Sequence, residues 1–386
     1  MSAPYPIYLD HNATTPLEPA VFEAMRPYFL EHFGNPSSID HLYGQTAAGA
    51  IQTAREQVAT AIGAQASEIT FTGSCTESDN MAILGIARAL AARGHFITSQ
   101  VEHPAVLEAF HQLEHEGHST TCLPVDDTGQ IRLDELAAAF RPETALVSIM
   151  GANNEVGTLQ PLAKISALCA QHSVLFHADL AQMPAYLPID VTKLGVDMAS
   201  FSGHKIYGPK GVGALYVRRR RPRTKLSPLL WGGGQEKALR PGTLNTPLIV
   251  GLGAAMEFSK KHLSKTTSHV NACSQRLLGI LREGIEGVQL NGHPTERLPN
   301  NLAISIEGVE PLALMRLLRE TVAFSASSAC ATETVETSHV LLAMFGDTAR
   351  ARSSFRLSTG RHTALSDITS AAQHVIKGVS RLRQMG

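Results

Sequence analysis

Val196-Asp197-Met198-Ala199-Ser200-Phe201-Ser202-Gly203-His204-Lys205-Ile206-Tyr207-Gly208-Pro209-Lys210-Gly211-Val212-Gly213 is the stretch from which the rest of the chain can be read. Its apolar beginning, 196–201, predicts a buried strand. The glycines and the proline that follow predict a turn, and 214–217 reads as a second strand. Lys205 is thereby placed at a strand end, facing a site instead of solvent. Ser202, His204 and Lys205 bring a hydroxyl, an imidazole and an amine together within four residues. Such a set can hold an anionic group through the first two and bond a carbonyl covalently through the third. A single lysine in a turn is most often a surface lysine, so the weight falls on the neighbouring segments.

Outward from that stretch, strands alternate with helices. Strands are predicted at 68–72, 95–98, 121–124, 145–150 and 174–177, and helices at 45–63, 76–92, 103–116, 132–140 and 162–172, after an earlier helix at 19–30. This alternation predicts βαβ units and a mostly parallel sheet covered by helices on both faces. Beyond about residue 260 the pattern changes. Helices at 248–262 and 269–286 lead to separated strands at 288–290, 301–306, 323–325 and 354–357, with helices at 312–320 and 366–381. The fold class is therefore α/β. A large domain is expected over 16–260, with a smaller α+β domain formed by 1–15 and 261–386.

Composition narrows the function classes. Of 386 residues, 44% are hydrophobic, enough for substantial cores, and the formal net charge is −1. A neutral balance gives no electrostatic case for nucleic acid or an anionic membrane, so the basic run 218–223 reads as a solvated loop. The first residues lack the basic-then-apolar pattern of a signal peptide, and no apolar run is long enough for a bilayer, so a cytoplasmic protein is expected. Cys75, Cys122, Cys169, Cys273 and Cys330 are odd in number and widely spread, which argues against disulfides or a cysteine zinc site. Cys122, Cys169 and Cys273 have apolar or helical neighbours and read as buried and inert. His111 and His115 have metal-ligand spacing on a helix, but with no further ligand nearby they read as a solvated face, and no metal is expected.

The chemistry gathers at predicted strand ends. Gly73-Ser74-Cys75-Thr76-Glu77 lies between a strand and a helix, where backbone N–H groups and the Thr76 hydroxyl meet an anion. Asp179 follows the strand at 174–177, with Gln182 close by, and a carboxylate there can pair with a ring nitrogen. His103 opens a helix after a strand. Each of these alone reads as a helix cap. Together with Ser202, His204 and Lys205 they fall at carboxyl ends of strands, where open α/β sheets bind ligands, and they match what pyridoxal phosphate requires. Cys330 lies in Phe324-Ser325-Ala326-Ser327-Ser328-Ala329-Cys330-Ala331-Thr332, whose small and polar residues suit a loop that presents a thiol.

These motifs, with Leu9-Asp10-His11-Asn12-Ala13-Thr14-Thr15-Pro16, Asn153-Asn154-Glu155-Val156-Gly157, Gly242-Thr243-Leu244-Asn245 and Arg356-Leu357-Ser358, run nearly end to end. In this order they resemble the cysteine desulfurases of the NifS/IscS type, fold-type I pyridoxal-phosphate enzymes of the class-V aminotransferase family. The resemblance implies pyridoxal 5'-phosphate as cofactor, L-cysteine as substrate, a homodimer, and a sulfur-acceptor protein such as an iron–sulfur scaffold. It makes Lys205 the Schiff-base lysine, Asp179 the partner of the pyridine nitrogen and Gln182 the donor to the ring hydroxyl oxygen. His103 stacks on the ring and shuttles protons. Cys75 (through its backbone N–H), Thr76, Ser202 and His204 form the phosphate cup, and Thr243 completes that of the other subunit. Asn154 and Arg356 hold the substrate carboxylate, with Asn154 also beside the cofactor, and an arginine fork suits that task. Cys330 is the nucleophile that takes the sulfur as a persulfide. Three positions depart from the family pattern: Ser327 replaces a glycine in the nucleophile loop, Cys75 an alanine, and Pro241 a serine. The alternatives are a selenocysteine lyase or another carbon–sulfur lyase of this fold, and a degenerate paralogue that acts as a binding partner.

Overall fold

The computed structural model describes residues 5–219, 224–326 and 337–385. A short strand, β1 (Ile7–Tyr8), opens it. The strands β2 (Ile69–Thr72), β3 (His95–Ser99), β4 (Ser119–Leu123), β5 (Thr144–Ser148), β6 (Leu175–Asp179), β7 (Met198–Ser202) and β8 (Gly213–Val217) build the main sheet. Their spatial order is β2-β8-β7-β6-β5-β3-β4. Four neighbouring pairs are parallel, and β8 alone runs antiparallel to both of its neighbours. The reason lies in the connection: residues 203–212 form a turn, whereas a parallel return needs roughly a dozen residues or more. β3 and β7 are buried at every position, as in a sheet covered on both faces. One face packs Phe71, Val147, Phe176 and Phe201 against Leu252, and the other packs Phe96, Leu146, Met198 and Leu215 against Met81 and Phe110.

A second, antiparallel sheet follows, with β9 (Val288–Leu290), β10 (Asn301–Ile306), β12 (Ser325–Ala326) and β13 (Ser354–Ser358) in the order β12-β13-β10-β9, while β11 (Val322–Ala323) pairs with β1. Its core gathers Leu9, Leu277, Leu302, Phe355 and Val375. The amino-terminal segment thus belongs to this core through Leu9, and Asp10 bridges to Ser358.

Several expectations are corrected. The helices predicted at 248–262 and 269–286 are one helix, Thr246–Gly284, of 39 residues. The polar run between them contains neither proline nor glycine, and Thr266 and Val270 bury their side chains, so nothing stops the helix. Its first half packs on the main core through Ile249, Leu252 and Met256, and its second half on the small core through Cys273, Leu277 and Leu281. The helix at 19–30 breaks at Pro27 into Pro19–Met25 and Pro27–Leu30. The strand at 323–325 is two strands of different sheets, β11 and β12. Cys122 is exposed, not buried, because β4 is the sheet's edge strand, whereas Cys169 and Cys273 are buried as expected.

Candidate active site

The main-sheet strands that precede predicted site residues, β2, β3, β6 and β7, all end on the same side of that sheet. After β2, Ser74 caps the helix Cys75–Ala89 by accepting the Glu77 N–H at 3.1 Å. The N–H groups of the first turn then point out of the helix end, where an anion is favoured. Gly213 of β8 packs directly on this turn: a Cβ there would lie 2.6 Å from the Ser74 carbonyl carbon and 2.7 Å from the Phe201 carbonyl oxygen. Glu77 accepts from the Gly73 N–H at 2.6 Å and from Arg240 Nε at 2.9 Å. Thr76 is exposed at the rim.

After β7 the chain makes a tight turn, Gly203–Lys205. The Lys205 amine donates to the carbonyls of Asn12 at 2.5 Å and Ala13 at 2.8 Å. Among the described residues it has no carboxylate partner, and burial, reinforced by the Arg356 cation, brings its pKa down from 10.5 to about 8. His204 contacts the Thr14 hydroxyl at 3.1 Å, and burial, with Lys205 second, brings its pKa down to about 4. The turn is locked from behind by Tyr207, which has φ 63° and is fully buried. Its N–H donates to Thr15 Oγ1 at 2.8 Å, its hydroxyl accepts from the Arg361 N–H at 2.6 Å, and the Arg361 guanidinium lies over its ring at 4.3 Å. A non-glycine residue keeps such a conformation only where its surroundings over-determine it.

Asp179 is the last residue of β6. Its Oδ1 accepts the Ala181 N–H at 2.8 Å and faces the Cys75 thiol, whose sulfur is 3.4 Å away. The thiol therefore points toward the carboxylate expected to meet the ring nitrogen, and not toward the phosphate cup. Gln182 and Asn12 pair reciprocally: Asn12 Nδ2 donates to Gln182 Oε1 at 2.9 Å, and Gln182 Nε2 donates to the Asn12 carbonyl at 3.0 Å. His103 caps the helix Pro104–His115, its Nδ1 accepting the Ala105 N–H at 3.1 Å. With Nδ1 an acceptor, the neutral ring carries its proton on Nε2. Burial lowers its pKa, opposed by Asp179 and aided by Lys205. Behind it Glu102, fully buried, takes the Ser99 hydroxyl at 2.7 Å and the Met150 N–H at 2.9 Å, and burial raises its pKa to about 8.

Arg356 of β13 reaches the site from the small sheet. Its Nη1 donates to the Asn154 carbonyl at 2.7 Å, and its Nη2 donates to Asp10 Oδ1 at 2.7 Å and Ser325 Oγ at 3.2 Å. Its Nε is buried with no partner among the described residues. Thr243 is exposed, and no hydrogen bond joins it to the chain's own site. Cys330 and Ser327 lie outside the described residues. Asp10, Asn12, Asp79, Glu102 and Tyr207 were not foreseen as site residues. Asp10 and Asn12 stood within a quoted motif, and Asp79 lies four positions after Cys75, one helical turn on, so spacing could have found it. The carbonyls that hold Lys205 leave no trace in residue type.

The donor set fits a phosphorylated pyridine aldehyde. A helix N-terminus with Ser202 and His204 suits the phosphate, an amine free of counter-ions suits the aldehyde, and Asp179 suits the ring nitrogen. Such a site at the strand ends of this sheet defines a pyridoxal-phosphate enzyme. Comparison with known proteins agrees. Residues 7–370 match the family described as "Aminotransferase class-V". Cysteine desulfurase of Homo sapiens is 44% identical over 381 residues, covering 98% of this chain and 83% of that protein. Cysteine desulfurase IscS of Rickettsia bellii is 45% identical, covering 98% and 92%. A solved structure titled "NIFS-LIKE PROTEIN" superposes with a TM-score of 0.91 at 35% identity, covering 97% of this chain and 100% of that one. Another, "SspA in complex with cysteine", gives 0.81 at 38% identity, covering 92% and 99%. The chain belongs to the cysteine desulfurases of the class-V aminotransferase family and works with pyridoxal 5'-phosphate.

Proposed function

We propose that the protein converts L-cysteine to L-alanine and leaves the sulfur as a persulfide on Cys330, from which an acceptor protein takes it. The observation that carries this reading is the convergence of Lys205, Asp179 and Arg356, an amine, a carboxylate and a guanidinium held by three different elements around one space. Pyridoxal phosphate, when bound, supplies an electron sink. Arg356 and Asn154 hold the carboxylate of the amino acid, for which an arginine fork is suited. Lys205, with a pKa near 8, takes the proton from the substrate α-carbon. Asp179 is the carboxylate that would partner the pyridine nitrogen. The Cys330 thiolate then attacks the substrate sulfur. The carbon–sulfur bond breaks, its electron pair stays with the carbon, a proton delivered from His103 Nε2 completes the methyl group, and Lys205 returns its proton to the α-carbon to give alanine. Free thiol and cysteine thus become persulfide and alanine with no external oxidant. Cys330→Ala is expected to bind cofactor and cysteine but to release almost no alanine. Normal alanine release by that variant would overturn the assignment.

A homodimer follows from the same reading. Thr243 is solvent-exposed, and a cavity of about 470 Å³ beside Thr76 is walled by Leu229, Leu230 and Arg240. Trp231 is 81% exposed, and Phe29, Leu30, Phe33 and Leu42 are 52–75% exposed. Apolar surface of this kind is what a second copy would cover. Sedimentation of a fully active monomer would rule this out. No helix among the described residues is long and apolar enough to cross a membrane. A cytoplasmic location and an iron–sulfur scaffold as acceptor remain the reading that the resemblance supports, and co-purification with the persulfidated protein tests the latter.

A further inference from the structure

Asp79 is fully buried, and its Oδ2 has no hydrogen-bond partner among the described residues. Its other oxygen is 4.0 Å from the Cys75 sulfur and 3.7 Å from His177 Nε2. Cys75, Asp79 and Asp179 each place one polar atom within 4.8 Å of the other two. A thiol therefore stands between two carboxyl groups, one of which is the residue assigned to the cofactor ring. His177 offers Asp79 no counter-charge. It is fully buried, its two ring nitrogens are occupied by the hydroxyls of Ser148 at 2.8 Å and Ser200 at 2.9 Å, and burial brings its pKa down to about 3. Glu102 is the other acid whose charge reaches Asp79, and Lys205 the nearby cation whose charge reaches Cys75.

An orphaned oxygen is tolerable on a neutral acid and costly on a carboxylate. Two carboxyls this close in a dry interior cannot both ionise. Asp179 has the backbone donor of Ala181, while Asp79 accepts from no backbone N–H. The proton of the pair therefore belongs on Asp79. Burial, with Asp179 second, raises the Asp79 pKa well above the usual carboxylate range and outweighs the opposing hydrogen bonds from the Ser200 hydroxyl and the Cys75 thiol, and burial likewise keeps Cys75 as a thiol. We propose that Asp79 is a positioning residue: a proton-bearing carboxyl that donates toward the Cys75 sulfur while the thiol donates to Asp179, so that the charge of the pair stays on the oxygen facing the cofactor ring. The proposal rests on the reading of Asp179 as the ring-nitrogen partner. It gives the cysteine at position 75, where the family pattern has an alanine, a side-chain role that its backbone assignment lacks.

The test is infrared spectroscopy of the holoenzyme grown with carbon-13-labelled aspartate. A label-sensitive carbonyl stretch of a protonated carboxyl is expected at neutral pH, lost in Asp79→Asn and displaced in Cys75→Ser, whose hydroxyl bonds more strongly. Absence of that band, or its survival in Asp79→Asn, overturns the proposal. The labelled wild-type protein and Cys75→Ser keep it falsifiable should Asp79→Asn not fold. A second readout is the pH titration of the visible absorbance of the lysine-bound cofactor. Asp79→Asn copies a neutral acid, so the midpoint should move by less than about 0.3 unit, whereas removal of a buried anion would lower it by about one unit or more. The larger shift overturns the proposal. Failure of the wild-type protein to load cofactor would instead count against the proposed function, and the infrared band would then be recorded on the apoprotein, where the buried Asp79–Cys75–Asp179 contacts are already made.

Discussion

Glu236 offers the sharpest test of how the site is built. Its carboxylate is forked onto Arg55, with Oε1 2.5 Å from Nη2 and Oε2 2.9 Å from Nη1, and Oε2 also takes the Phe71 N–H at 2.8 Å. The two side chains are 2% and 16% exposed. Glu236→Gln keeps the shape and removes the charge, leaving the Arg55 cation facing an amide. Breaking one side of a buried pair costs about 3–5 kcal/mol. Arg55 retains the Ile69 carbonyl at 2.8 Å and the face of Phe71 at 4.6 Å, so the lower end, about 3 kcal/mol, is expected. The double variant Arg55→Met with Glu236→Gln should recover much of this loss, since no unpaired charge is left buried. Urea unfolding of the holoenzyme, followed by far-ultraviolet circular dichroism, reads both. Glu236 also opens a turn in which Glu236, Lys237 and Ala238 have φ of 47°, 59° and 63°, and that turn delivers Arg240 to Glu77 beside the proposed phosphate cup. The single variant should therefore also bind the cofactor more weakly. A single variant within about 0.5 kcal/mol of wild type would refute the reasoning, because surface changes alone give that much.

Three further outcomes follow from the same geometry. The Lys205 amine, with its pKa near 8, should be captured by pyridoxal phosphate and borohydride in the apoprotein with a midpoint near pH 8; a drop of 2.5 units from 10.5 makes it about 300-fold more often neutral at pH 7, and a midpoint above pH 10 would contradict the burial argument. Ala238→Gly should stabilise the protein by about 1 kcal/mol, because glycine adopts its φ of 63° without the Cβ penalty, and a lowered urea midpoint would count against this. Gly213→Ala pushes a Cβ into the backbone of Ser74 and Phe201 and should cost about 1–3 kcal/mol, part of it read as a weakened cofactor dissociation constant; unchanged stability and affinity would show that the cup turn is not held by β8.

The main sheet was legible because its signals are local. Apolar runs, turn glycines and helices of ordinary length predicted β2, β3, β6 and β7, and strand ends then predicted where Cys75, His103, Asp179 and Lys205 would meet. What stayed hidden depends on tertiary contacts. No residue type announces that the Asn12 and Ala13 carbonyls hold the Lys205 amine, since any residue has a carbonyl. The continuity of the helix Thr246–Gly284 through a polar middle is set by Thr266 and Val270 finding a core to enter, which periodicity over a short window cannot register. The direction of the Cys75 thiol was hidden for a related reason: its backbone serves the helix N-terminus, while its side chain turns one face away toward β6.

The segment from Leu9 to Glu18 explains why groups on two separate cores can act together. Leu9 is buried in the small core, and Asp10 holds Arg356. Two residues on, Asn12 and Ala13 hold Lys205, and Asn12 is paired with Gln182 and accepts from Asn301 Nδ2 at 3.3 Å. Further along, Thr15 closes on the His204 carbonyl with both its N–H and its hydroxyl, each at 2.9 Å, and Glu18 pairs with Arg361 at 2.9 Å. One strap thus sets the substrate-side arginine and the lysine in a common frame. It does so mostly through backbone carbonyls, which orient the amine without the counter-charge that would raise its pKa. A carboxylate in place of those carbonyls would hold Lys205 just as firmly and leave it protonated at neutral pH, unable to react. Asp10, the strap's acid nearest the site, is instead committed to Arg356, the group proposed to bind the substrate carboxylate.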